Sequence, residues 1–130
     1  MRRVSILLSI FAFCVAGLVA QDADLAQYQT WMKAANGANM ALRKAVTEKD
    51  AAGIKDNSAK AAESFDAIAK FFAKKGKADG EKFATDARDA AKAVGASTSD
   101  ADTTAALGKL GGTCRGCHPI YRSQSEFKGL

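Results

Sequence analysis

Proline, histidine and tryptophan occur once each in these 130 residues, and tyrosine occurs twice. A single proline together with 48% hydrophobic residues excludes collagen-like and disordered chains. Aromatic residues reach only 8% and β-branched residues are few, which argues against a β-rich fold. With His118 as the only histidine, no second imidazole is at hand for a zinc site or a catalytic relay. No nucleophile–base or acid–base constellation stands out, so the chain is not expected to be an enzyme. Its basic residues are not interleaved with aromatics and carry no nucleic-acid motif, and nucleic-acid binding is not expected. What is abundant is alanine, at 28 positions, with many lysines. That is a helix-former's composition, and the length suits one domain.

The first twenty residues read as a secretory signal. Arg2 and Arg3 give a basic start, Val4 to Phe13 is almost unbroken apolar sequence, and small residues follow to Ala20. The run is too short to span a bilayer, and no later stretch is apolar enough to do so. Cleavage is expected after Ala20, with Gly17 as the other option. Cys14 lacks the preceding small residue of a lipoprotein signal. Residues 1–20 are thus expected to be a signal peptide and 21–130 the exported, soluble domain, without membrane insertion. Removing Arg2 and Arg3, with no acid among the twenty, lowers the net charge from +5 to +3.

Within 22–48, Leu25, Tyr28, Met32, Ala35, Asn39, Leu42 and Val46 recur at alternating spacings of three and four, one seam of a helix. Asp22 and Asp24 suit its first turn, so a start near Asp22 is expected. Ile54, Ser58, Ala61, Phe65, Ile68 and Phe72 form a second seam. Gly76 to Gly80 breaks the pattern, and Phe83, Ala87, Ala90 and Val94 form a shorter third. Ser99 and Asp100 are cap candidates ahead of a fourth: Leu107, Leu110, Cys114, Cys117 and Tyr121. Four such segments with short breaks predict an all-α, up-down-up-down four-helix bundle. Its seams are thin and alanine-rich, so the helices either pack very closely or enclose something else.

Cys114-Arg115-Gly116-Cys117-His118 is C-x-x-C-H, the attachment pattern of c-type haem. The porphyrin's vinyl groups form thioethers with the two thiols, and the adjacent imidazole takes an axial iron site. On a helix, positions i, i+3 and i+4 share one face, here the seam itself, so the bundle would enclose one covalently attached haem c. A thioredoxin-like pair would want a βαβ context, zinc would want four ligands, and a Cys114–Cys117 disulfide would close only a short loop. The disulfide leaves a haem-free interaction bundle as an alternative. Pro119, directly after the histidine, removes a backbone donor and is expected to bend the helix.

The string Gly111-Gly112-Thr113-Cys114-Arg115-Gly116-Cys117-His118-Pro119-Ile120-Tyr121-Arg122 resembles the C-terminal signature of the cytochrome c′ family. Trp31-Met32-Lys33-Ala34-Ala35-Asn36-Gly37-Ala38-Asn39-Met40 is similar to the Met-Lys-x-x-Gly segment of that family's first helix. The motifs cover about 25 residues, whereas the architectural likeness covers the mature chain. The resemblance implies a four-helix haem protein of the bacterial periplasm, often a homodimer. It also implies one of two types. High-spin members have an open distal face that takes nitric oxide or carbon monoxide; in low-spin members a methionine completes the coordination. Both are linked to electron transfer.

In such a bundle the first and last helices are antiparallel. Met32, ten residues from Asp22, lies ~15 Å deep, and His118, seven from a helix end near Ser125, lies ~10 Å deep. Met32 is therefore able to reach iron as a second axial ligand, or to pack as an apolar gap-filler against the porphyrin. Met40, off the seam, is a poorer candidate. Arg122, i+4 from His118, either meets the proximal pocket or a haem propionate, or is a surface residue. Lys33 and Arg43 flank the first seam, where solvated charge competes with propionate contact. Tyr121 reads as core; Tyr28 and Trp31 read as packing at the haem edge or a dimer seam. Asn39 suits a register role, subunit pairing or a bound water. The expectation is a periplasmic monohaem cytochrome that exchanges electrons with redox partner proteins, with gas binding as the alternative.

Overall fold

Three tight reversals set the architecture of the computed structural model, which describes residues 2–122, with side chains from residue 24 onward. Helix α1 (Arg2–Glu48) stops at Lys49, in the left-handed region at φ 55°. There the amides of Lys49 and Asp50 turn back to the carbonyls of Val46 and Ala45. Asp50 then caps α2 (Ala51–Lys74), its carboxylate accepting from the Gly53 amide at 3.0 Å. Residues 75–77 lead into α3 (Ala78–Ala96). Ser99 caps α4 (Asp100–Tyr121), accepting from the Asp102 amide at 3.1 Å and donating to its carboxylate at 2.7 Å. Connections this short force consecutive helices antiparallel, giving a four-helix bundle; among the described residues there is no strand.

Two boundaries differ from expectation. Helix α1 does not begin near Asp22 but is continuous from Arg2, because no proline or helix-stop motif separates the apolar run from the first seam. The proposed cleavage position at Ala20 and the side chains of 1–23 lie outside the described side chains. Gly80 is not part of a break but lies in the first turn of α3, buried against the Phe72 ring, where a Cβ would collide with the aromatic carbons. Its missing side chain lets α2 and α3 approach closely.

The four seams face inward as the spacing requires. Tyr28, Leu42, Phe72, Val94 and Leu110 are the largest fully buried side chains, and Ala35, Ala61, Ala87 and Ala90 fill positions between them. Among the described residues, ten of the nineteen buried apolar ones are alanine, so the helices close on small side chains wherever aromatics are absent. Backbones approach closely between α1 and α2, α2 and α3, and α3 and α4, but scarcely between α1 and α4. No helix among the described residues is long and apolar enough to cross a membrane. The exposed faces of α2 and α3 carry Lys60–Asp56, Lys70–Asp66 and Lys82–Asp86 pairs, and Arg88 bridges to Asp66 at 3.0 Å. Such exposed pairs are screened by solvent and contribute little to stability.

Candidate cofactor site

An apolar cleft reaches all four helices, with about 330 Å³ of empty space partly open to solvent. Tyr28 and Met32 line it from α1, Phe65, Ile68 and Phe72 from α2, Phe83, Ala84 and Ala87 from α3, and Thr113, Cys114, Cys117 and His118 from α4. The cysteines and the histidine share a cleft-facing stripe because i, i+3 and i+4 fall on one side of an unbroken helix. Gly116, between them, packs on Phe83: a Cβ there would stand 2.7 Å from the ring's Cε1. Glycine at that position therefore sets how closely α4 approaches one aromatic wall.

Burial sets the protonation of the site. The Cys114 thiol is pushed up by desolvation, against hydrogen bonding from Thr113 and the charges of Arg43 and Arg115. Desolvation first, then the neighbouring Cys114 and Asp79, push the Cys117 thiol up to about 11. Both are protonated at neutral pH, which disfavours a thiolate redox pair, and neither is in a disulfide. Desolvation and the nearby Arg122 charge lower the His118 pKa, keeping a neutral imidazole with a free lone pair near pH 7. Among the described residues no three His, Cys, Asp or Glu side chains converge on a metal-sized point. Two neutral thiols and a neutral imidazole strung along an apolar wall fit a flat aromatic group held by its rim, with a metal of its own.

The structure brings Met32 and His118, 86 positions apart, to the same cleft. Met40 stays 64% exposed, off the seam as expected. Tyr28, 1% exposed, lines the cleft and stacks on Phe71 at 4.8 Å, and Trp31 meets Phe71 edge-on at 6.4 Å. Tyr121 is core: its ring lies 4.6 Å from that of Phe72, and its hydroxyl donates to Asp79 at 2.5 Å. Lys33 and Arg43 are exposed. Asn39 presents a buried Oδ1 without a hydrogen-bond partner among the described residues.

Arg122 departs from its expected helical placement. Pro119 stands in the last turn, where its ring nitrogen gives the Arg115 carbonyl no hydrogen bond, and α4 ends at Tyr121. Arg122 follows in extended conformation, exposed and outside the cleft lining, its amide donating to the His118 carbonyl at 2.9 Å. Its guanidinium acts on the His118 imidazole through charge. Ser125, the expected helix end, lies outside the described residues.

Sequence reasoning took Phe65, Ile68 and Phe83 as ordinary core positions and attached no role to Gly116. The usable signal was a glycine in mid-helix between the two cysteines, which marks close approach of a neighbour. No protein-family model, no curated protein and no solved structure matches this chain.

Proposed function

We propose that this chain is a periplasmic monohaem c-type cytochrome that binds haem covalently and carries single electrons between redox partner proteins. One observation carries the reading: Cys114, Cys117 and His118 of a C-x-x-C-H motif line a single apolar cleft that Met32 also enters. Cys114 and Cys117 would hold the porphyrin rim, and His118 would supply a nitrogen ligand to its iron. The resemblance to cytochromes c′ supports the same assignment. When bound, haem supplies a one-electron iron couple.

The rest falls to the chain's own groups. Phe65, Phe72 and Phe83 give the cleft apolar walls, which would limit solvent reorganisation when charge changes. Desolvation keeps the His118 imidazole neutral and able to donate its lone pair. Met32 would bring a soft thioether sulfur from α1, suited to an iron ligand that raises the potential. Were Met32 to pack beside the haem instead, the free face would take nitric oxide or carbon monoxide, the second reading.

The optical spectrum of the chain matured in its native host tests these assignments. A Soret band with low-spin features is expected, and Met32→Ala should turn it high-spin and responsive to nitric oxide. A low-spin spectrum unchanged by Met32→Ala would remove Met32 as ligand. A high-spin wild type that responds to nitric oxide would favour the second reading. A processed chain with no Soret band would end both.

A further inference from the structure

We infer that the α1–α4 seam beside Cys114 is a docking face for the acidic surface of a redox partner protein. The electron-transfer part rests on the reading above; the docking part does not. Charge is segregated in this bundle. Residues 25–47 of α1 and 103–122 of α4 hold Lys33, Arg43, Lys44, Lys109, Arg115 and Arg122 and no Asp or Glu, although Lys44 pairs with Glu48 just beyond. Helices α2 and α3, by contrast, mix both signs and neutralise them in pairs.

Two of these cations meet. A Cβ placed on Gly111 would lie 3.1 Å from Nη2 of Arg43 and 3.5 Å from Nη1 of Arg115, so guanidinium groups from α1 and α4 converge above one glycine. Both residues are exposed, and neither side chain has an ion-pair partner among the described residues. Gly111 stands one turn before Cys114 on α4, so the face borders the cleft wall that would carry a porphyrin edge. Like charges held this close attract an anionic surface strongly and in one orientation.

The relief of the face suits close approach. Gly108 and Gly112 share one side of α4 with Gly111 and Arg115, and a Cβ at either would meet nothing within 4 Å. Met40, 64% exposed and one turn from Arg43, adds an apolar contact beside that cation. A second copy of the chain is the wrong occupant. Isologous pairing across this seam would set Arg43 and Arg115 near their own counterparts, with no acid on either stretch to offset them. Charge complementarity favours the acidic surface of another protein.

Two readouts on the full processed chain test the face, using Arg43→Gln with Arg115→Gln. The control, Lys60→Gln with Lys82→Gln, makes the same change in net charge on α2 and α3. The first readout needs no haem: binding of poly-L-glutamate at low salt. The arginine pair variant should bind about tenfold more weakly, the control should stay near wild type, and the difference should vanish at high ionic strength. The second is the rate of oxidation of the reduced haem protein by hexacyanoferrate(III), an anionic reagent. It should fall several-fold in the arginine variant alone, and poly-L-glutamate should inhibit the wild type. Equal poly-L-glutamate binding by the two double variants would overturn the docking face. Selective loss of binding in a chain that carries no haem would sustain the face and overturn the electron-transfer reading. Selective loss of binding with unchanged oxidation rates would sustain an acid-binding surface but remove it from the electron path.

Discussion

The thiols of Cys114 and Cys117 are held neutral by the same burial that makes their cleft hospitable to an aromatic macrocycle. Desolvation leaves a thiol nowhere to place a negative charge, so deprotonation waits until well above neutral pH. The sign is testable on haem-free chain. Alkylation of Cys117 by iodoacetamide should rise with a midpoint near pH 11, the value to which burial lifts the thiol. A midpoint near the ordinary thiol value of about 8.5 would show that the cleft is wetter than its lining implies. Burial and Arg122 act on His118 in the opposite sense, favouring its neutral form. All three groups of the motif are thus uncharged near pH 7.

Helix α4 carries the motif, and its last turn is weakened by Pro119 two residues before the helix ends. What holds that turn is Tyr121, buried against Phe72 and hydrogen-bonded to Asp79 at the start of α3. The tie has a pH signature. Burial first, then the Asp79 carboxylate, push the Tyr121 phenol up to about 12, so the unfolded chain loses this proton before the folded one as pH rises. The contribution is complete below about pH 10, the phenol's unfolded value, and is lost between there and about 12. Asp79 moves the other way, lowered chiefly by the Tyr121 hydroxyl. Its share is present above the ordinary carboxylate value and fades as pH falls through the lowered one. Urea unfolding across this range should show the alkaline loss in wild type and less of it in Tyr121→Phe. An identical alkaline slope in both would assign the loss to other groups.

The bundle as a whole meets at Phe72. Its ring touches Tyr28 of α1 at 5.5 Å, Phe71 of α2 at 5.6 Å and Tyr121 of α4 at 4.6 Å, while Gly80 of α3 closes beneath it. With alanine at so many other buried positions, this aromatic knot carries a large share of the interhelical packing. Phe72→Ala should cost about 3–5 kcal/mol, read from denaturant midpoints, because aromatics on three sides cannot collapse into the gap. A cost of about 1 kcal/mol or less would mean that the knot relaxes freely and that the core depends on its alanine seams.

Four amphipathic seams, the Ser99 cap and the shared face of Cys114, Cys117 and His118 were legible from residue spacing, since each arises from interactions within a few residues. Local chemistry was equally sufficient for the thin, alanine-rich core. Helix depth already set Met32 opposite the motif, but spacing did not reveal that Phe65 and Phe83 converge on the cysteines, that Gly116 seats Phe83, or that Arg43 and Arg115 meet over Gly111. Those depend on the relative depth and rotation of helices, which the packing of side chains distant in sequence decides. For Arg122, only the helical placement differs from expectation: the chain leaves the helix one residue before it, and the side chain is exposed, as one of its two sequence readings had it. Gly80 failed in the opposite direction. A glycine that looked like a break is a helical residue, because close packing against Phe72 rewards the absence of a side chain more than local propensity penalises it.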